Sequence, residues 1–201
     1  MKKTASAALA ALLATTAAGP ALAQSKGDMT IGIGFHQVAP KSNNGVAAGL
    51  PLDVDDNAQP TFTFEYFVAD NVGIEVLAAT PFDHDIALGP LGTIGSTKHL
   101  PPTVSLQYHF PTGGGVSPFV GAGINYTHFF DDTSVLGPLD LDDSWGMALH
   151  AGIDIPVGPK GAIRADVRWM NIESDVKLGG VTIGKAEIDP TVFGLAYVHQ
   201  F

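Results

Sequence analysis

The chain has 201 residues, with 10 Lys and Arg against 20 Asp and Glu and a formal net charge of −10. So acidic a chain is a poor candidate for nucleic acid, whose phosphates need Lys and Arg, and without cysteine it can hold neither disulfides nor thiolate metal sites. Its hydrophobic share of 45% and mean hydropathy of +0.21 are high for that charge, which points to apolar and charged segments kept apart.

The first element in chain order is an export signal. Met1-Lys2-Lys3-Thr4 places two cations before the uncharged run Ala5 to Ala18, and Gly19-Pro20 and Ala21-Leu22-Ala23 follow. A basic start, a short apolar run and an A-x-A site predict a signal peptide over residues 1–23, cleaved before Gln24. The run is shorter than the roughly 20 residues of a spanning helix. Residues 24–201 then suit one domain. The longest later stretch free of Asp, Glu, Lys and Arg, from His99 to Phe130, contains Pro101, Pro102, Pro111, Pro118 and Gly113-Gly114-Gly115. So many breakers exclude a helix there and fit two strands joined by a turn.

Period-2 alternation dominates the rest and predicts strands with chemically different faces. It runs over Met29–His36 (Ile31, Ile33, Phe35 against Gly32, Gly34, His36), Thr61–Val68, Val72–Ala79 and Thr103–Phe110 (Val104, Leu106, Tyr108 against Ser105, Gln107, His109). It resumes over Phe119–His128, Trp145–Ile155, Ile163–Trp169 and Phe193–Phe201. Short turns are expected at Ala69–Asn71, Pro111–Val116 and Pro156–Gly161, and long loops at Val38–Pro60, Pro81–Pro102, Phe129–Ser144 and Asn171–Pro190. Short periplasmic turns and long outer loops are the habit of outer-membrane barrels, and three short and four long connections put both termini on the periplasmic side. A soluble sandwich or lipocalin-like barrel also alternates. Three features favour the membrane form. Aromatics such as Phe35, Tyr66, Tyr126, Trp145 and Trp169 sit near segment ends, where girdles lie. Glycines and charges share one face, and the chain ends on Phe201 in an alternating aromatic strand. The expected fold is all-β, an eight-stranded antiparallel up-and-down transmembrane β-barrel.

Longer blocks resemble the OmpW family of outer-membrane proteins. They are Asn71-Val72-Gly73-Ile74-Glu75-Val76-Leu77-Ala78-Ala79-Thr80-Pro81-Phe82-Asp83-His84-Asp85-Ile86, Lys98-His99-Leu100-Pro101-Pro102-Thr103-Val104-Ser105-Leu106-Gln107-Tyr108-His109-Phe110 and Pro118-Phe119-Val120-Gly121-Ala122-Gly123-Ile124-Asn125-Tyr126. Asp166-Val167-Arg168-Trp169-Met170 and Tyr197 to Phe201 fit as well, whereas Val38–Pro60 and Asn171–Asp189 carry no matching motif. The resemblance implies a monomeric barrel in the outer membrane of a Gram-negative bacterium, with a narrow, partly apolar lumen. It further implies passive, channel-like uptake of small hydrophobic molecules, with release sideways into the bilayer as in alkane-uptake relatives. The partners are then outer-membrane lipid, lipopolysaccharide, small hydrophobic solutes and the outer-membrane assembly machinery, with no cofactor or metal.

Three residue sets follow. Pro81, Pro101 and Pro102 fall where the third and fourth strands meet the second outer loop. Proline cannot donate to a ladder, so three of them on neighbouring strands either hold a lateral opening or simply end the strands. The apolar stretch with Ile86, Leu88, Leu91 and Ile94 is expected as a flexible loop that either admits apolar solutes or packs on itself or on lipid. Glu65, Glu75, Arg164, Asp166 and Arg168 face the lumen by alternation, where paired charges close the lower barrel, since an unpaired buried charge is costly. The lesser reading is that they line a conducting pore, for which eight strands leave little lumen. His84 between Asp83 and Asp85 has no second histidine at ligand spacing, and no Ser-His-acid set assembles, so no enzyme is expected. The acidic loop residues around Asp53, Asp131 and Asp140 read as mostly solvated, with binding of the divalent ions that bridge lipopolysaccharide phosphates as the minor alternative. Transport competes with a structural or surface-interaction role (envelope stress, phage or host contact), because barrels host both.

Overall fold

The computed structural model describes residues 24–113 and 115–201; the predicted signal peptide lies outside the described residues. Eight long strands form the wall: β1 (Met29–Ala39), β2 (Asn57–Ala69), β3 (Val72–Ala79), β4 (Thr103–His109), β5 (Ser117–Ser134), β6 (Ser144–Pro156), β7 (Gly161–Met170) and β8 (Thr191–Gln200). Each pairs antiparallel with its neighbours in the chain, and β1 pairs with β8 from Thr30↔Gln200 to Ala39↔Thr191. The sheet therefore closes into an eight-stranded barrel without an edge, which is how a β-protein satisfies every backbone group in lipid. Both termini and the three short turns lie at one end, here the lower. One turn is as tight as sterics allow, with Asn71 in the left-handed region at φ 62° and its carbonyl accepting from the His109 N–H at 2.9 Å.

Along these strands the apolar residues point out. Val104 and Leu106 on β4 are 52% and 57% exposed, while their alternates Ser105 and Gln107 are buried inside. Ile124, Leu195 and Trp145 likewise face outward. Eight strands enclose a space that side chains nearly fill, and small residues make room for large ones. A Cβ on Gly73 would overlap the Glu65 carboxylate, and one on Gly121 would overlap the His150 ring.

The four expected long loops are instead mostly strand. Val38–Pro60 contains Gly45–Ala47 and Leu50–Val54, and Pro81–Pro102 contains Phe82–Leu88 and Thr93–Leu100. β5 runs on to Ser134 and is followed by Leu139–Leu141, while Asn171–Pro190 contains Glu173–Leu178 and Val181–Glu187. These pieces pair in series, from Leu139–Leu141 through Glu173–Leu178, Val181–Glu187, Gly45–Ala47, Leu50–Val54 and Phe82–Leu88 to Thr93–Leu100 and back onto β5. The Leu141 N–H donates to the Asp132 carboxylate of β5 at 2.9 Å and all but completes the ring. The result is a tower stacked on the membrane barrel, with its polarity reversed. Phe82, Ile86 and Leu88 point in and Asp83 and Asp85 point out, so this part follows the pattern of a soluble barrel.

Candidate functional site

The interior has two storeys. The lower one is a polar layer inside the membrane barrel. Arg164, on β7, donates through Nε and Nη2 to Asp154 at 2.8 and 2.9 Å, and through Nη1 to Glu75 at 2.8 Å. Arg168, four residues on and hence on the same face, donates to the other Glu75 oxygen at 2.7 Å and to Asp166 at 2.7 Å. Glu65 holds one side through the Gln107 amide at 3.0 Å and His109 Nε2 at 2.8 Å, with Arg164 Nη2 at 3.4 Å. Arg164 also lies 4.5 Å over the Phe119 ring. All five charged residues expected in the lumen meet in this one network, and each guanidinium is 2% exposed or less. Three further members, Asp154, Gln107 and His109, were not singled out from the sequence, although alternation already set them on the inner face. Four carboxylates against two guanidiniums make the layer anionic in sign, and it fills the cross-section as a floor.

Above the floor the interior turns apolar. A cavity lies between Leu77, Phe82, Pro101, Met170, Ile172 and Val192, with His36 and His99 at its borders, and its free volume of about 10 Å³ is room for roughly one water. A second, of about 20 Å³, sits higher in the tower between Leu52, His84, Ile86, Phe129 and Val176.

Beside the lower cavity the wall is interrupted. The β3–β4 register stops at Leu77↔Thr103 and resumes above at Phe82↔His99, so that four residues, Ala78 to Pro81, face three, Leu100 to Pro102. The flanking ladders continue past this point, with the Thr80 N–H donating to the Pro60 carbonyl and the Tyr126 N–H to the Pro102 carbonyl, both at 3.0 Å. Pro101 is buried against the cavity, while Pro81 and Pro102 are exposed on the outer surface. The three prolines thus sit together at the break, with no N–H to bridge it. The buried Asn125 amide holds the proline pair, donating to the Pro101 carbonyl at 3.1 Å and the Pro102 carbonyl at 3.3 Å. Sequence reading had no signal for that latch beyond an inward asparagine.

The apolar stretch above the break is not a flexible loop. Ile86 and Leu88 belong to one strand and Ile94 to the next, all three buried in the tower core; only Leu91, in the one-turn 3₁₀ helix Gly89–Leu91, is exposed. The physical reason is their alternation with Asp85, Ala87 and Gly95, which lets the hairpin bury one face. Asp83-His84-Asp85 straddles the wall, with the two aspartates outside and the histidine inside. The acidic tower residues largely face cations or other donors. Lys98 meets Asp131 at 3.1 Å, Lys177 pairs with Asp142, and Tyr126 and His128 donate to Asp143.

Comparison with known proteins accounts for this architecture. The OmpW family model matches residues 25–201. Outer membrane protein W of Vibrio cholerae is 38% identical over 95% of this chain and 96% of its own length. Outer membrane protein AlkL of Ectopseudomonas oleovorans is 28% identical over 78% of this chain and 72% of its length. The crystal structure of the outer membrane protein OprG from Pseudomonas aeruginosa superposes with a TM-score of 0.78 at 29% identity, covering 89% of this chain and 98% of that one. With a closed, outward-apolar barrel and a family match across nearly the whole described chain, the protein belongs to the OmpW family and is an outer-membrane β-barrel of a Gram-negative bacterium.

Proposed function

We propose that this barrel passes small hydrophobic solutes through the outer leaflet passively, taking them into the tower and releasing them sideways into the bilayer at Pro81, Pro101 and Pro102. The carrying observation is the coincidence of three features at one height: an apolar cavity, a break in the wall beside it, and a closed polar floor directly beneath. A hydrophobic solute gains little from a lumen lined by Glu75 and Arg168, because burying polar groups against an apolar molecule costs their hydrogen bonding. The favourable way out of the cavity is the lipid next to the break. The tower supplies the other half of the route, since its apolar interior shelters a solute past the saccharide layer, taking the short-turn end as periplasmic.

The small free volume makes this a gated path, opened by side-chain movement of Met170 and Leu77, not a standing pore. The test is uptake of a labelled hydrophobic solute by cells making the wild type or the triple variant Pro81→Val/Pro101→Thr/Pro102→Val. Restored donors and β-propensity zip the β3–β4 ladder closed. Hydrophobic uptake should fall toward that of cells without the protein, while heat-modifiable gel migration stays. Wild-type uptake by the folded triple variant would sink the lateral route.

A further inference from the structure

The upper cavity contains an unpaired polar feature that passive shelter does not require. His84 and His99, on the paired strands Phe82–Leu88 and Thr93–Leu100, are each 1% exposed and lie in the tower, above the outer aromatic residues Tyr126 and Trp145. Their rings are stacked, with centroids 5.0 Å apart and planes within 10°. Phe82 packs near-parallel to His99 at 5.4 Å and 19° and to His84 at 6.4 Å and 21°, and Phe129 is tilted against His99 at 5.7 Å and 49°.

The hydrogen-bonding capacity of the pair can be assigned. His84 Nδ1 lies 2.6 Å from the Asp55 backbone carbonyl, which only accepts; Nδ1 therefore carries the proton and Nε2 is a bare acceptor. His84 Nε2 and both His99 nitrogens have no partner among the described residues. The two rings do not satisfy one another, because they are stacked and imidazole N–H groups and lone pairs lie in the ring plane. Burial lowers the pKa of His84 despite the Asp55 carbonyl, and burial followed by the neighbouring His84 pushes His99 down to about 3. Both rings are neutral at physiological pH, and together they offer two acceptors and one donor to an otherwise apolar chamber. Leu or Phe would fill the same space without that cost, and buried polar groups left unpaired are rare. His99 borders both cavities and His84 the upper one, so the pair lies between the two.

We propose that the His84–His99 pair is a binding site for flat aromatic solutes carrying one hydrogen-bond donor, namely phenols and N–H heterocycles. The aromatic plane of the solute packs against the Phe82–His99–His84 cluster, and its O–H or N–H donates to His84 Nε2 or to the free acceptor of His99. A saturated chain matches neither the flat faces nor the acceptors. The proposal deepens the uptake reading by naming the solutes the tower selects, and it rests on that reading only for its role in the cell.

The mature chain, folded in lipid vesicles, should be titrated with 2-naphthol and with naphthalene, which share a ring system and differ by one hydroxyl. Binding is counted above partition into protein-free vesicles. One net hydrogen bond gives wild type a preference for 2-naphthol of about 3- to 10-fold. In His84→Phe/His99→Phe the flat aromatic faces stay and the nitrogens go, so the preference for 2-naphthol over naphthalene should vanish. Removing unpaired nitrogens from an apolar core favours folding; should the double variant still fail to show heat-modifiable migration, His84→Phe and His99→Phe are titrated singly, and the preference must fall in at least one of them. Equal affinities in wild type, or a preference that survives the substitutions, would overturn the site. Cell uptake of naphthalene separates the two readings. Barrel-dependent uptake without a naphthol preference leaves transport standing and removes the site, whereas a binding preference without uptake does the reverse.

Discussion

The membrane barrel and the tower are built from the same eight strand directions but are inside-out relative to each other. In the barrel Val104, Leu106 and Ile124 face out and a network of charges fills the centre; in the tower Asp83, Lys98 and Asp131 face out and Phe82, Ile86 and Val176 fill the centre. The environment dictates both arrangements, since lipid rewards an apolar exterior and water a polar one. The inversion happens at Thr80-Pro81, where one extra residue on the β3 side flips the parity of inward positions from Glu75 and Leu77 to Phe82 and His84. The break in the wall and the change of solvent are therefore one feature. On the proposed route, a solute held in the apolar upper interior would meet the membrane where the β3–β4 ladder is interrupted.

If that contrast is right, a charge should matter most where it is buried in the barrel. Arg164→Met leaves Asp154, Glu75 and Glu65 facing each other without their shared guanidinium. Breaking a buried network by removing one partner costs about 3–5 kcal/mol, readable as a lower urea midpoint for unfolding from lipid vesicles. Adding Glu75→Gln to Arg164→Met should recover part of the loss. A loss below about 1 kcal/mol would mean that the floor is wet and screened.

The outer surfaces give the next contrast. Leu106→Arg on β4 puts a cation against lipid and should cost ~2–4 kcal/mol near the midplane. Thr133→Arg, on the part of β5 that lies in the tower and exposed to water, should stay within about 0.5 kcal/mol. Similar losses at both positions would place the tower in the membrane and erase the distinction.

This same contrast explains what could be read from the sequence. The barrel was legible because lipid demands long uninterrupted alternation, as in Thr103 to Phe110, and because inward glycines and charges share its other face. The tower was not, because its strands are short and interrupted. Gly45-Val46-Ala47 and Val181-Thr182-Ile183-Gly184 look like loop sequence until a neighbouring strand covers them, and β-structure of that length exists only through its pairing. The five lumen charges followed from parity alone. Who pairs with whom, and the capture of Asp154 and His109, needed the barrel to close. His84 and His99 were visible only as one residue between two aspartates and one in a proline-rich block. Their stacking depends on the Phe82↔His99 register, which no local pattern encodes.

The smallest expected effect is in the tower's own ion pairs. Asp189, between the tower strands and β8, accepts from Lys41 Nζ at 3.0 Å through one oxygen, and from the Asn171 amide at 2.9 Å and the Ile172 N–H at 3.2 Å through the other. Burial pushes its carboxyl up, but these donors outweigh burial and hold it below its ordinary value of 3.8. A carboxylate depressed on folding stabilises fully above its unfolded value and loses that contribution as pH falls through the folded one. Asp189→Asn should therefore cost about 0–1 kcal/mol at neutral pH, the range of a partly exposed pair. The difference from wild type should shrink below pH about 4 and vanish once wild-type Asp189 is itself protonated. Unfolding midpoints of both proteins across that acid range test it. A loss as large as that of Arg164→Met, or one that grows toward acid, would show that charge in the tower is buried as it is in the barrel, and the two storeys would no longer differ in kind.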